Sequence, residues 1–338
     1  MRYFKNLTLL LFLTLTFFTR AQDGDWILTT NKVDNYVGIV TANGRIGILP
    51  EDKPFQTKSI ILNNVFEKES ELGVSRIISG INFANFDVEI DGEKITEDNI
   101  SHWEQSLNMK TAAFTTTFTF KKKAKISYTI YALRNIQYAG YIDINIEPLK
   151  KINIKATGKI ETPDDFINPL STFRVLADAE TTMPILQTVA KTKFGKHTIG
   201  TSATFVWHSI NSGREHERPH LMHNKVSDYK NYLSFEKELK KGETYEFAWT
   251  GSECSTQDFK DPQTESERFV IFNMLTPRDD LLSQHRKLWE DLWQGDIIIE
   301  GDTQSQLDVR LALYHLYAFS RGDSNLSIPP MGLSSQNY

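Results

Sequence analysis

Thr111-Ala112-Ala113-Phe114-Thr115-Thr116-Thr117-Phe118-Thr119-Phe120 is made almost wholly of β-branched and aromatic residues. Such a run suits a pleated, half-buried strand far better than a helix. Lys121-Lys122-Lys123 follows and reads as a solvated turn, after which the strand character resumes from Ile126 to Ala132. Working outward, the same grammar repeats. Tyr36–Val40 and Arg45–Leu49 flank Asn43-Gly44, the strongest short-range hairpin dipeptide. Phe83–Ile90 alternates into Asp91-Gly92, a second tight turn. Tyr138–Ile146, Ile152–Ile160, Thr201–Trp207, Leu233–Leu239 and Thr244–Thr250 continue the series. About ten strands with no helix-period stretch between them predict a large antiparallel β-sandwich running from about Trp26 to Gln257.

The pattern changes near Pro277. Leu282, His285, Leu288, Trp289, Leu292 and Trp293 share one face of a helix predicted over 279–293. Pro277 with Asp279 and Asp280 supplies its start, and Gly295 its stop. Ile297-Ile298-Ile299 reads as a short strand. A second helix is predicted over 304–320, with Leu307, Leu311, Tyr314 and Ala318 on one side and Val309, Leu313, Leu316 and Phe319 around much of the rest. A helix apolar on most sides belongs inside a larger helical assembly. The segment after Arg321 is therefore expected to be loosely held, for want of such partners.

With 338 residues the chain has room for two domains, or for one large all-β unit with an appendage. Hydrophobic residues at 40% and charged residues at 24% exclude disorder and collagen-like repeats. A net charge of -5 leaves no basic surface for a phosphate backbone, which excludes nucleic acid as a partner. The lone Cys254 rules out an intramolecular disulfide framework and a cysteine-rich zinc module. Arg2 and Lys5, the mostly apolar Leu7–Phe18 and the exit Thr19-Arg20-Ala21 have the plan of a signal peptide. An uncleaved anchor would need nearer 20 apolar residues. Removing Arg2, Lys5 and Arg20 takes 38 basic residues to 35 against 43 acidic, a net -8. The mature protein is expected to be exported, periplasmic or extracellular, with no membrane association after cleavage.

His216-Glu217-Arg218-Pro219-His220 matches the letters of a zinc-protease helix. Pro219 disfavours a helix running through the motif, so a polar loop is the better reading. His223 would extend it at most to an incidental metal site. Cys254 has no nearby His in the sequence and reads as an inert thiol. No nucleophile elbow and no glycine-rich phosphate loop appears, and nothing implies a cofactor or a metal. Trp289 and Trp293 present rings that suit sugar stacking, but packing against the sandwich is the simpler role. Glu300 and Asp302 lie close together, yet a helix-start role, with Asp302 or Thr303 as cap, is preferred to a catalytic pair. Asn99-Ile100-Ser101 and Asn325-Leu326-Ser327 match the glycosylation pattern.

From His285 onward the chain resembles glycoside hydrolase family 65. The likeness is carried by His285, Leu288-Trp289, Leu292-Trp293, Asp296–Gly301, Arg310–Leu316, and Ser327-Ile328-Pro329-Pro330-Met331-Gly332-Leu333-Ser334 running into Tyr338. Ser106–Lys110 and Ile144–Leu149 are similar more loosely. The resemblance implies a β-super-sandwich, a helical linker and the first helix of an (α/α)6 barrel. After the signal peptide (1–21) read above, it divides the chain into the sandwich (22–270), the linker (271–300) and the start of the barrel (301–338). It also implies an inverting glycosidase acting on an α-glucosyl disaccharide or glycoconjugate, in which two carboxylates act from opposite faces. The family's acidic catalytic motif would come after Tyr338, so no catalytic residue is carried over. Gly332, Leu333 and Tyr338 match the segment leading to the site and are expected at most to line its edge. The alternatives are a non-catalytic carbohydrate-binding sandwich and a family 65 disaccharide phosphorylase. The sequence carries no signal for oligomeric state.

Overall fold

The computed structural model describes residues 23–33, 36–68, 70–177, 182–207 and 218–334. The expected signal peptide, His216 and Glu217 of the zinc-like motif, and Tyr338 lie outside the described residues.

A single 3-10 turn at Asp23–Trp26 leads into β1 (Ile27–Thr30). β2 (Thr41–Ala42), β3 (Ile46–Pro50), β4 (Thr57–Lys68) and β5 (Ser75–Ser79) form a four-stranded sheet in that order. β6 (Phe86–Ile90), β7 (Glu93–Lys94) and β8 (Ile100–Asn108) precede the meander of β9 (Ala113–Phe120), β10 (Ala124–Ala132) and β11 (Ala139–Pro148). β12 (Ile152–Glu161), β13 (Ile167–Ala177), β14 (Thr182–Lys191) and β15 (Thr198–Val206) follow. The last strands are β16 (Met222–Ser227), β17 (Lys230–Leu239) and β18 (Tyr245–Ser255). One nine-stranded sheet has the order β1-β8-β9-β10-β11-β18-β15-β14-β13, and a five-stranded sheet the order β16-β17-β12-β6-β7. The pairings within these sheets are antiparallel, as the sandwich reading requires.

The two smaller sheets share one core with the large one. Ile48 and Ile60 meet it from the four-stranded sheet, Ile154 and Phe235 from the five-stranded sheet, and Ile144 and Phe247 from the nine-stranded sheet. Burial alternates along β9 to β12, the period-2 signature of strands with one face in a core. Trp249 fills the middle, where a Cβ on Gly158 would lie 2.3 Å from its ring, so only glycine fits beneath it. Both hairpin dipeptides turn as read: Gly44 has φ +85, and Asp91-Gly92 has φ 53 and 77. Lys121 and Lys122 also take left-handed backbone, and their turn is solvated, with Lys121 paired to Glu93 and Lys123 to Asp91.

Among the described residues, three α-helices come after the strands. α1 (Pro262–Leu275) has no counterpart in the sequence reading, and it crosses the boundary placed between 270 and 271. Asp261 caps it and Pro262 opens it. It lies on the outer face of the large sheet through polar contacts, Ser266 to Ser202 at 2.8 Å and Asn273 to Thr250 at 2.9 Å. α2 (Arg278–Leu292) buries Leu281, Leu282, His285 and Trp289, while Leu288 is turned outward. α3 (Thr303–Phe319) buries Gln306, Arg310, Tyr314 and Ala318.

Two expectations are overturned. Ile297–Ile299 forms no strand: Gln306 takes the Ile299 amide (2.7 Å) and donates to the Ile297 carbonyl (3.0 Å), so those backbone groups serve the helix. Nor is the stretch after Arg321 without anchors among the described residues, which run to Ser334. Arg321 donates to the carbonyls of Asn43 (3.1 Å) and Arg134 (3.0 Å), and Leu333 is fully buried against the four-stranded sheet.

Candidate functional site

Of the residues singled out from sequence, His285, Trp289, Trp293, Gly332 and Leu333 gather where the sandwich, α2, α3 and the segment 329–334 meet. Asn43, at the β2–β3 turn, is fully buried. Its side-chain oxygen accepts from the amides of Arg45 (2.9 Å) and Ile46 (3.0 Å), closing the turn. Its amide nitrogen donates to the carbonyls of Leu133 (2.7 Å) and Gln137 (3.1 Å) and so joins that turn to the large sheet.

Above this turn the chain comes back. Gly332 has φ +60, and a Cβ there would lie 2.2 Å from the Phe319 ring. A Cβ on Gly47 would lie 2.2 Å from the Leu333 carbonyl oxygen, so β3 receives the 329–334 segment in direct backbone contact. Leu333 is sealed from solvent, whereas its neighbour Met331 is exposed. Tyr314 donates to the Val40 carbonyl (2.9 Å) and stacks on Trp289 at 5.4 Å. Both Trp289 and Trp293 are buried packing residues here, with no ring face offered to a sugar.

Electrostatics at this junction favour fixed structure. His285 is fully buried, accepts from the Arg134 amide at Nδ1 (3.0 Å), and donates from Nε2 to the Thr111 carbonyl (2.9 Å). Burial above all pulls its pKa down to about 4, so the ring is neutral at pH 7. Arg134 donates to the carbonyls of Tyr317 (2.9 Å) and Ser320 (3.1 Å), the favoured place for a cation at a helix C-terminus. Its pKa falls to about 10, chiefly from burial and next from the neighbouring Arg321.

The carboxylates considered from sequence do structural work. Asp302 caps α3, accepting from the Gln304 amide (3.1 Å) and the Ser305 hydroxyl (2.6 Å), and the Ser305 bond leads in holding its pKa low. Glu300 is exposed, and Asp308 accepts from Gln304. Cys254 is buried, and burial raises its thiol pKa far out of the reactive range. His223 bonds Asn231 at 2.8 Å and stacks on Phe173, and among the described residues no group of three His, Cys, Asp or Glu side chains is placed to hold a metal.

Two surface grooves lie elsewhere. One, of about 450 Å³, crosses the outer face of the five-stranded sheet along Glu89, Lys155 and Glu236, which stand side by side on three neighbouring strands. The other, of about 350 Å³, runs between Leu28, Tyr36, Gln105 and Phe114. There Gln105 is committed to Tyr36, to the Glu51 carbonyl and to Thr116, which leaves mainly apolar walls. The sequence reading missed Asn43 beyond its turn role, and Gly47, Arg134 and Arg321 altogether. Asn43-Gly44 was the signal from the sandwich side that pointed to this corner, as Gly332 and Leu333 were from the other side.

The model of the glycosyl hydrolase family 65 N-terminal domain matches residues 39–292, most of the sandwich together with α1 and α2. The chain belongs to glycosyl hydrolase family 65. Two family relatives are kojibiose hydrolases. That of Flavobacterium johnsoniae is 36% identical over 94% of this chain and 46% of its own length. That of Mucilaginibacter mallensis is 34% identical over 94% of this chain and 47% of its own length. The chain thus spans about half the length of these relatives. A solved structure assigned as a kojibiose phosphorylase from the human microbiome superposes with a TM-score of 0.74 at 13% identity, over 93% of this chain and 44% of that one, a likeness of fold.

Proposed function

We propose that this chain is the N-terminal portion of an exported, inverting glycoside hydrolase that cleaves kojibiose or a closely related α-glucosyl disaccharide. One observation carries the reading: identity of 36% and 34% to two kojibiose hydrolases extends over 94% of the chain, through sandwich and helices alike. The apolar start with its basic residues supports export. Compartment in turn supports hydrolysis, because a phosphorylase conserves bond energy as a sugar phosphate that is useful inside the cell. The sandwich and 329–334 act as scaffold in this reading, and the carboxylates that protonate the leaving oxygen and activate water lie in the part of the enzyme beyond this chain. Identity of 34% over 122 residues to a kojibiose phosphorylase of Halothermothrix orenii supplies the competing reading, phosphorolysis.

The test is an assay of the natural full-length protein, recovered from the exported fraction and checked by peptide mapping for a start at Gln22. Kojibiose, nigerose and trehalose are offered with and without phosphate, and the anomer of the first product is followed by NMR. Release of β-glucose from kojibiose at a rate indifferent to phosphate is the expected result. Strict dependence on phosphate would replace hydrolase by phosphorylase, and a start at Met1 would remove export.

A further inference from the structure

Trp26 lies far from the junction in sequence and packs, half-buried, against it in space. The guanidinium of Arg310 covers its ring at 3.7 Å from the centroid, and Trp293 meets it edge-on at 4.8 Å. Arg310 also donates to the Asp25 carbonyl (3.0 Å), and Asp296 holds it through Nη2 (2.8 Å) and Nε (3.2 Å). The Trp26 carbonyl accepts from the Met109 amide (2.9 Å), and the Met109 carbonyl in turn accepts from the Trp293 indole (3.0 Å). Arg310 is only 5% exposed and Trp293 only 7%. An indole, a backbone carbonyl and a buried ion pair thus close one unit drawn from the N-terminal segment, the β8–β9 turn, the linker and α3.

The chemistry is selective. Cation–π contact is strongest with indole, and it strengthens when the cation is out of water. A carboxylate oxygen that accepts from two nitrogens of one guanidinium restrains its plane, so the face turned to Trp26 is preset. We propose that Arg310, Asp296, Trp293 and Met109 form a socket for a tryptophan-bearing peptide segment, filled by the chain's own residues 25–26, and that filling it fastens the first half of α3 to the sandwich. The second half has its own fastenings, Tyr314 to Val40 and Arg134 to the last carbonyls. Emptying the socket therefore loosens α3 from one end.

The proposal is tested by hydrogen exchange on the chain carrying Trp26→Ala. Exchange in 303–312 should rise at least tenfold, while exchange in β10 and β11 stays as in the parent. Free indole, added at millimolar concentration, should fill the vacated space and restore protection in a saturable manner, and should fail to do so when Arg310→Lys is also present. If Trp26→Ala does not fold, Trp26→Phe, which keeps a smaller ring face, takes its place and should give a smaller rise in the same residues. Unchanged exchange in 303–312, an equal rise across β10 and β11, or an indole effect indifferent to Arg310 would each overturn the socket.

Discussion

Glu253 projects from β18 into the sandwich core, with no part of it exposed. One carboxyl oxygen accepts from the Ile81 amide, while the other has no hydrogen-bond partner. Gly80 is glycine because a Cβ there would fall 2.2 Å from this carboxyl group. Burial raises the Glu253 pKa well above the usual carboxylate value, far more than the single amide bond lowers it. The folded protein therefore keeps a proton that the unfolded chain gives up near pH 4.5. Between that pH and the raised folded value, stability falls as pH rises. Glu253→Gln, which keeps the shape and has no proton to lose, should match the parent near pH 4 and be more stable at pH 8. Urea midpoints at the two pH values check this, and equal parent and variant midpoints at pH 8 would mean that Glu253 does not titrate in this way. At this scale the sequence was legible where chemistry is local. Asp302 as a cap and Cys254 as an inert thiol follow from their neighbours. Glu253, His285 and Arg310 take their roles from partners 172, 174 and 285 residues away, which no local pattern encodes.

Among the elements, what could be read depended on which face each one buries. β9, β10 and β12 alternate and were evident. β4 was missed because its 12 residues run through Asn63-Asn64, where Asn64 takes φ 67 at an irregularity in the pairing with β5. α3 was legible from its apolar period, whereas α1 was missed. Its buried face is largely Ser266, Glu267 and Asn273, laid on polar side chains of the sheet, while Phe272 and Leu275 point outward. A hydrophobic period cannot announce a helix that buries its polar side. The contact of β3 with Leu333 yields a prediction of its own. Gly47→Ala sets a methyl group against backbone, which cannot yield as a side-chain tip would. Overpacking of this kind costs about 1–3 kcal/mol. The expected outcome is a lower melting temperature together with faster exchange in 329–334, the segment being pushed off β3. Faster exchange confined to β2 and β3 would show that the sheet gives way instead.

Across the whole molecule, segments from the two ends of the described chain meet over one corner of the sandwich, and the acids at that corner are engaged in structural contacts. Inverting hydrolysis needs two carboxylates on opposite sides of the bond, roughly 6.5–9.5 Å apart. Glu253 is sealed in the core, and Asp296 and Asp302 are bound to Arg310 and to the start of α3. Glu89 and Glu236 stand on one face of one sheet with Lys155 between them, which places both on the same side of any sugar lying in that groove. Purified residues 22–338 are accordingly expected to melt cooperatively, as a folded sandwich does, and to leave kojibiose intact with or without phosphate. Acid–base assistance, which the proposed reading assigns to residues outside 22–338, is typically worth about 10²–10⁴-fold in rate. The same material should associate as its concentration rises, because Ile298, Leu316 and Met331 are exposed on the helical side. Sedimentation at several concentrations, run beside the assay, separates a folded but inactive sandwich from a misfolded one. Turnover above the buffer blank that disappears in Glu89→Gln or Glu236→Gln would place the chemistry on the five-stranded sheet. Turnover that disappears in amide variants of Glu300, Asp302 or Asp308 would place it at the start of α3.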